Sequence, residues 1–252
     1  MAEGFSSVPL GVVGAALLVS DEGQTMHQFS AAMGRLGISL EVCGKSTILK
    51  KLLAEQKFEA VIVDLGIGES ASTAIGHVHS SPSNKTAVTF AIVDDQNKVH
   101  SAFQDGFRFV VPRPLSAQSI DKILKAAFGL IVRERRRYFR YSVNLPVIIR
   151  KENIPPIRCF AINISEGGLA INTPIPMNQG FRGNAEFGLP NGDLHFTAES
   201  QVCWYRHGGQ AGLRFITFTS GHHAQLQEWL SRRLEENLPE AIVAKFREAT
   251  SS

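Results

Sequence analysis

The sequence predicts two domains in series: a parallel α/β sheet covered on both faces, then a six-stranded antiparallel β-barrel closed by a C-terminal helix. Three observations predict it. Uninterrupted apolar runs alternate with helix-period segments up to residue 130, the pattern of a buried parallel sheet. Beyond that point the period changes to short strands punctuated by Gly, Pro and Asn-Gly, the pattern of an antiparallel meander. A run of arginines from Arg133 to Arg140 stands where the two patterns meet. The expected domains are therefore 1–130 and 131–240, with 241–252 as a tail.

In the first half, Ala15 to Val19 reads as a buried strand, and Thr25 to Leu36 as a helix stopped by Gly37. Leu40 to Cys43 follows as a strand, then a helix over Thr47 to Gln56. Ala60-Val61-Ile62-Val63-Asp64 is a continuous apolar strand ending in an acid. A short helix at Thr73 to His79, a strand at Ala87 to Val93, a helix at Asn97 to Asp105 and a strand at Phe109 to Val111 complete the alternation. Ser116 to Arg137 is a long helix with Ile120, Leu124, Ala127 and Ile131 on one stripe.

In the second half, strands are expected at Val143 to Arg150, Arg158 to Ile164, Leu169 to Thr173, Gly183 to Leu189, Leu194 to Tyr205 and Ala211 to Phe218. Pro155-Pro156, Gly167-Gly168, Pro190-Asn191-Gly192 and Gly208-Gly209 separate them. One helix, His222 to Glu236, follows as a lid, and the segment from Leu238 is helix-compatible with a fraying end.

Composition narrows the class. No apolar run reaches the roughly 20 residues of a membrane span. Pro9 to Val19 has no basic residue before it and is closed by Ser20-Asp21-Glu22, so it reads as a strand, not a signal peptide. Cys43, Cys159 and Cys203 are odd in number and lack ligand spacing, which fits buried thiols in a reducing cytoplasm. Charge is uneven. Residues 1–130 hold 11 Lys/Arg against 12 Asp/Glu, a net of −1; the rest hold 15 against 11, a net of +4, matching the overall +3. The excess sits in Arg133, Arg135, Arg136, Arg137 and Arg140, which points to a local site.

Taken alone, that arginine run fits a helix C-terminus complementing its dipole, a nonspecific nucleic-acid patch or a specific site equally well. Asn163-Ile164-Ser165-Glu166-Gly167-Gly168, alone, fits a polar turn. Together the two segments resemble the PilZ domain, the bacterial cyclic di-GMP receptor. Its R-x-x-x-R is matched by Arg136 to Arg140, with the usual extra arginine at Arg135, and its [D/N]-x-S-x-x-G by Asn163 to Gly168. Cys203-Trp204-Tyr205 and Gly212-Leu213-Arg214-Phe215 resemble its late strands, so the resemblance covers about Arg133 to Glu236.

The resemblance implies a nucleotide site built of Arg135, Arg136, Arg140, Asn163, Ser165 and Gly168, with cyclic di-GMP as ligand. The chemistry is coherent. A guanidinium fork bonds phosphate or the O6/N7 edge of guanine bidentately and stacks on a base. Asn163 offers donor and acceptor, Ser165 a hydroxyl, and Gly168 close backbone approach. Arg136 and Arg140 would close over the ligand, which at the Arg-x-x-x-Arg linker would reorient the domains. No catalysis and no metal is implied there.

The five strand–helix units resemble the response-regulator receiver domain, a flavodoxin-like parallel sheet, over about Ala15 to Leu130. Asp64 stands at the phospho-acceptor position, with Asp21 as an acid for Mg²⁺. Ser20 replaces the other acid, Arg113 replaces the lysine of the Lys-Pro turn, and Ala91-Ile92-Val93 lacks the usual Thr/Ser. One acid fewer weakens the Mg²⁺ site, and arginine is bulkier and forked. The domain therefore reads as a degenerate receiver serving homodimerisation or docking of a protein partner. A PilZ-like adaptor that binds no nucleotide and a basic-patch nucleic-acid binder stand as alternatives, the latter disfavoured by the second motif.

Other signals carry less. His77, His79 and His100 read as surface histidines, and His222-His223 as solvent-facing. Gly66-Ile67-Gly68 lacks the lysine of a phosphate loop. Trp204 and Trp229 read as barrel and lid packing, not base-stacking platforms.

Overall fold

A computed structural model describes residues 11–44, 46–67, 71–190, 195–219 and 221–250. The expected Asn191-Gly192 turn lies outside these residues. The chain divides into two compact units, residues 1–135 with 235–252, and residues 136–234.

The first unit is a five-stranded sheet in the order β2-β1-β3-β4-β5, all parallel. Its strands are β1 (Gly14–Val19), β2 (Ile38–Cys43), β3 (Ala60–Asp64), β4 (Val88–Val93) and β5 (Phe109–Pro112). Helices α1 (Gly23–Arg35), α2 (Ser46–Glu55), α3 (Ala71–Ser80), α4 (Lys98–Asp105) and α5 (Ala117–Tyr138) follow the strands in turn. Every residue of β3 and β4 is buried, as their unbroken apolar runs require when helices cover both faces. Gly37 (φ +69°) and Gly106 (φ +106°) end α1 and α4 in the left-handed region, where a side chain would be strained. The strand order reverses between β1 and β3, which opens a crevice at the carboxyl ends of these strands.

The end of α5 is pinned by buried charge. Lys57 Nζ lies 2.7 Å from Glu134 Oε1, both side chains 6% exposed, and the Thr86 hydroxyl donates to the same oxygen at 2.6 Å. The Ala15 amide donates to Glu59 Oε2 at 2.6 Å, and Arg135 Nη1 lies 4.0 Å from Glu59 Oε1. Burial pushes the Glu59 carboxyl above its ordinary value, with Arg135 opposing, and pulls the Arg135 guanidinium below its own.

The second unit is a closed barrel in the order β10-β11-β8-β7-β6-β9. Its strands are β6 (Arg140–Lys151), β7 (Ile154–Ser165), β8 (Gly168–Asn172), β9 (Arg182–Gly188), β10 (His195–Arg206) and β11 (Gln210–Phe218). Alternate residues such as Val147, Ile149, Ala161, Ile171, Ala185 and Phe187 fill its interior. Leu226 and Leu230 of α6 (His222–Glu235) join that core, and Trp229 packs against it.

Four expectations change. Pro155-Pro156 does not separate strands but lies within β7, beside a register shift between Ile149 and Lys151 that relieves the ladder of their missing donors. The segment after residue 239 is a helix, α7 (Glu240–Thr250), that belongs to the first unit. Its Ile242 and Phe246, four apart, are buried, and Lys245 Nζ donates to the Arg35 carbonyl at 2.8 Å. Trp204 is 37% exposed rather than packed inside. Cys43 and Cys159 are buried, but Cys203 is half-buried.

Candidate functional site

Each unit gathers charge at one place. In the first, β1, β3, β4 and β5 all end at the crevice. Asp64, last residue of β3, is 2% exposed, and its Oδ2 accepts from Ser20 Oγ at 2.8 Å and from Arg113 Nη2 at 2.7 Å. Arg113 Nη1 also meets Glu22 Oε2 at 2.6 Å, and its Nε meets Asp94 Oδ1 at 3.1 Å. The Thr25 hydroxyl donates to Glu22.

One guanidinium thus binds three carboxylates. Burial alone would lower the Arg113 pKa, but Asp64, Glu22 and Asp94 together hold it above its ordinary value. The Thr25 hydrogen bond first, and Arg113 after it, hold Glu22 below the usual carboxylate range. This donor set does not fit Mg²⁺ well, because one oxygen of each carboxylate already faces a cation of the chain itself. Among the described residues no group of His, Cys, Asp or Glu is arranged to hold a metal. Asp21 is exposed, while Glu22 and Asp94 take part in the cluster. Their signal was adjacency: each lies just beyond the end of a buried strand.

In the second unit, strand register assembles a row. Arg140 pairs with Ser165 across β6–β7, Ser165 with Gly168 across β7–β8, and Gly168 with Arg214 across β8–β11. Directly opposed residues share a face, and Ile164 and Leu213 beside them point into the core, so the row lies on the outside of the barrel. A second row, two residues along, carries Asn163, Ala170, Gly212 and Trp204.

These rows line a pocket of about 890 Å³ that also includes Arg137, Glu166, Cys203 and His223, within the size range of ligand pockets. Arg140, Asn163, Ser165 and Gly168 are among its lining residues. Arg136 is half-buried outside it, and Arg135 faces Glu59 in the first unit. Sequence reading passed over Arg137, Glu166, Trp204, Arg214 and His223.

Two glycines shape the floor. A Cβ on Gly168 would lie 1.9 Å from the Leu213 carbonyl oxygen, so the close approach it permits is to β11. A Cβ on Gly212 would lie 2.1 Å from Trp204 Nε1: the indole covers its cross-strand partner. That pairing explains why Trp204 stays outside, and the glycine opposite it was the available signal. Ser165 Oγ donates to the Gly168 carbonyl at 3.1 Å, closing the turn between β7 and β8.

The architecture defines a class: a doubly wound α/β unit in series with a small closed barrel bearing a cationic pocket. Residues 134–232 match the PilZ domain family, and the second unit is a PilZ domain. The first has the receiver-like α/β fold, which its strand order establishes. Solved structures similar to the chain include the receiver domain of a sensor histidine kinase from Pseudomonas aeruginosa, at 16% identity and TM-score 0.41, covering 46% of this chain and 98% of that one. The chemotaxis response regulator CheY4 of Vibrio cholerae matches at 13% and 0.42, covering 47% and 98%. The inhibitor of motility of Bacillus subtilis, MotI/DgrA, matches at 23% and 0.34, covering 39% and 50%. No curated relative matches the chain.

Proposed function

We propose that the chain is a cytoplasmic signalling effector that binds cyclic di-GMP on the outer face of its barrel. The observation that carries this reading is the row Arg140–Ser165–Gly168–Arg214, set in a pocket with Arg137 and Asn163. Three guanidinium groups suit two phosphates and the acceptor edges of two guanines. Micromolar binding corresponds to about 8 kcal/mol, a sum that charge-assisted bonds and stacking supply.

Ligand drawn onto Arg137 at the end of α5 and Arg140 at the start of β6 fixes the junction between these elements, and through it reorients the two units. The receiver-like unit docks a protein partner or a second copy and takes no phosphate, because Arg113 already occupies its acid cluster.

Calorimetry with cyclic di-GMP on wild type, Arg136→Ala and Ser165→Ala tests the ligand. Heat from the wild type and its loss in Ser165→Ala is the expected result; Arg136→Ala reports whether the arginine outside the pocket contributes. No heat from the wild type overturns the reading. Binding to mixed-sequence DNA with steep salt dependence, indifferent to Asn163→Ala, would instead favour a nucleic-acid binder. Superimposable scattering profiles with and without saturating ligand would remove the reorientation.

A further inference from the structure

Glu166 is the one carboxylate among the residues lining the barrel pocket, which also holds Arg137, Arg140 and Arg214. A carboxylate beside a site for a doubly phosphorylated ligand is unfavourable unless it faces something other than phosphate. Acceptor-only and anionic, it can gain there only from donors. In a guanine nucleotide the strongest such donors are the N1–H and N2–H₂, adjacent on one edge of the base, where both can converge on a carboxylate oxygen. Arginine, a donor only, addresses the phosphates and the O6/N7 edge. Between them, guanidinium and carboxylate read opposite edges of the same base.

The position of Glu166 is built, not incidental. It opens the two-residue turn between β7 and β8, directly after Ser165. Gln227 Nε2 of α6 donates to its Oε1, and His223 Nε2 lies 3.8 Å from the same oxygen. Both partners address Oε1; Oε2 accepts no hydrogen bond among the described residues, and the side chain is 28% exposed. The helix therefore holds one oxygen and leaves the other able to accept from an incoming donor.

We propose that Glu166 is the guanine-selecting residue of this pocket, accepting from the Watson–Crick edge of one base while Gln227 and His223 position it. The proposal rests on the nucleotide-binding reading above. A site built to bond a polar group disfavours the analogue that lacks it, because its own acceptor is then left unmatched against the bound base. The test is calorimetry of wild type, Glu166→Gln and Glu166→Ala with cyclic di-GMP, with its hypoxanthine analogue lacking the N2 amines, and with cyclic di-AMP.

The wild type is expected to prefer cyclic di-GMP over the hypoxanthine analogue by at least about tenfold, and over cyclic di-AMP by more. In Glu166→Ala the preference over the hypoxanthine analogue should fall to about twofold or less, and in Glu166→Gln to an intermediate value. Thermal melts of the near-isosteric Glu166→Gln check that the barrel is intact. A melting shift with the preference unchanged assigns Glu166 to tethering α6 alone and overturns the proposal. An absence of wild-type heat with cyclic di-GMP removes the binding reading and the proposal with it, whereas heat with an unchanged ratio removes only the proposal.

Discussion

The two units treat the same chemistry in opposite ways. At the carboxyl ends of the parallel sheet, Asp64, Glu22 and Asp94 gather round a guanidinium that the chain supplies itself. On the outside of the barrel, Arg137, Arg140 and Arg214 line a pocket with room for a ligand. A crevice at a switch point favours ligands by topology, yet here its carboxylates are paired from within. A barrel face has no such built-in opening, yet here strand register and two close-packed glycines create one. Fold offers a place for a site; the residue at each position decides whether the place is occupied internally or left for a partner.

The largest expected effect tests the glycine floor. Gly168→Ala forces a Cβ to within 1.9 Å of the Leu213 oxygen and should destabilise the barrel by about 4 kcal/mol in denaturant unfolding. A variant as stable as wild type would show that β8 and β11 need not approach so closely, and the row would lose its geometric basis.

Next comes Arg113→Ala, which leaves Asp64 buried without its guanidinium. Loss of one partner from a buried pair costs about 3 kcal/mol, read as an earlier unfolding transition of the first unit. Stability equal to wild type would mean the internal cation is dispensable, and the contrast between the two sites would fail.

Arg113→Lys sharpens the same point. A compact ammonium keeps charge on Asp64 but cannot span Glu22 and Asp94 together. Millimolar Mg²⁺ should raise the melting temperature of this variant by a few degrees, about 1 kcal/mol, and leave wild type unchanged. Wild-type protein should likewise stay unlabelled by acetyl phosphate. Labelling lost in Asp64→Ala would reverse this reading.

The smallest effect concerns pH. The folded Glu22 lies below its ordinary value of 4.5, so its stabilisation is present above that pH and lost as pH falls through the folded value. Glu22→Gln should flatten the acid limb of the first unit's stability curve. An acid limb identical to wild type would place Glu22 outside the Arg113 cluster in solution.

Local signals were legible where local physics decides. Ala60 to Asp64 read as a buried strand because no polar residue interrupts it, and it is buried throughout. Gly37 read as a helix stop and has φ +69°. The expected long helix, Ser116 to Arg137, and the observed α5, Ala117–Tyr138, differ by one residue at each end. The misreadings share one cause. Pro155-Pro156 looked like a break, but a register shift in the partner strand accommodates it. Trp204 looked like core, but Gly212 lies opposite and leaves it a seat outside. Residues 241–252 looked like a tail, but Ile242 and Phe246 find an apolar face on a unit more than a hundred residues away in sequence.

The sequence by itself determined the two architectures, the PilZ motifs and the residue types at Ser20 and Arg113. Those are properties of period and of residue type at a position, and they survive without coordinates. Only the tertiary structure decided which charges meet. It turned Arg135 toward Glu59, placed Arg113 among Glu22, Asp64 and Asp94, and brought Glu166 within reach of His223 and Gln227 of α6. Each pairing joins residues from separate strands, helices or turns. Their contact depends on sheet order and register, which act across the chain and leave no trace in any one segment of it.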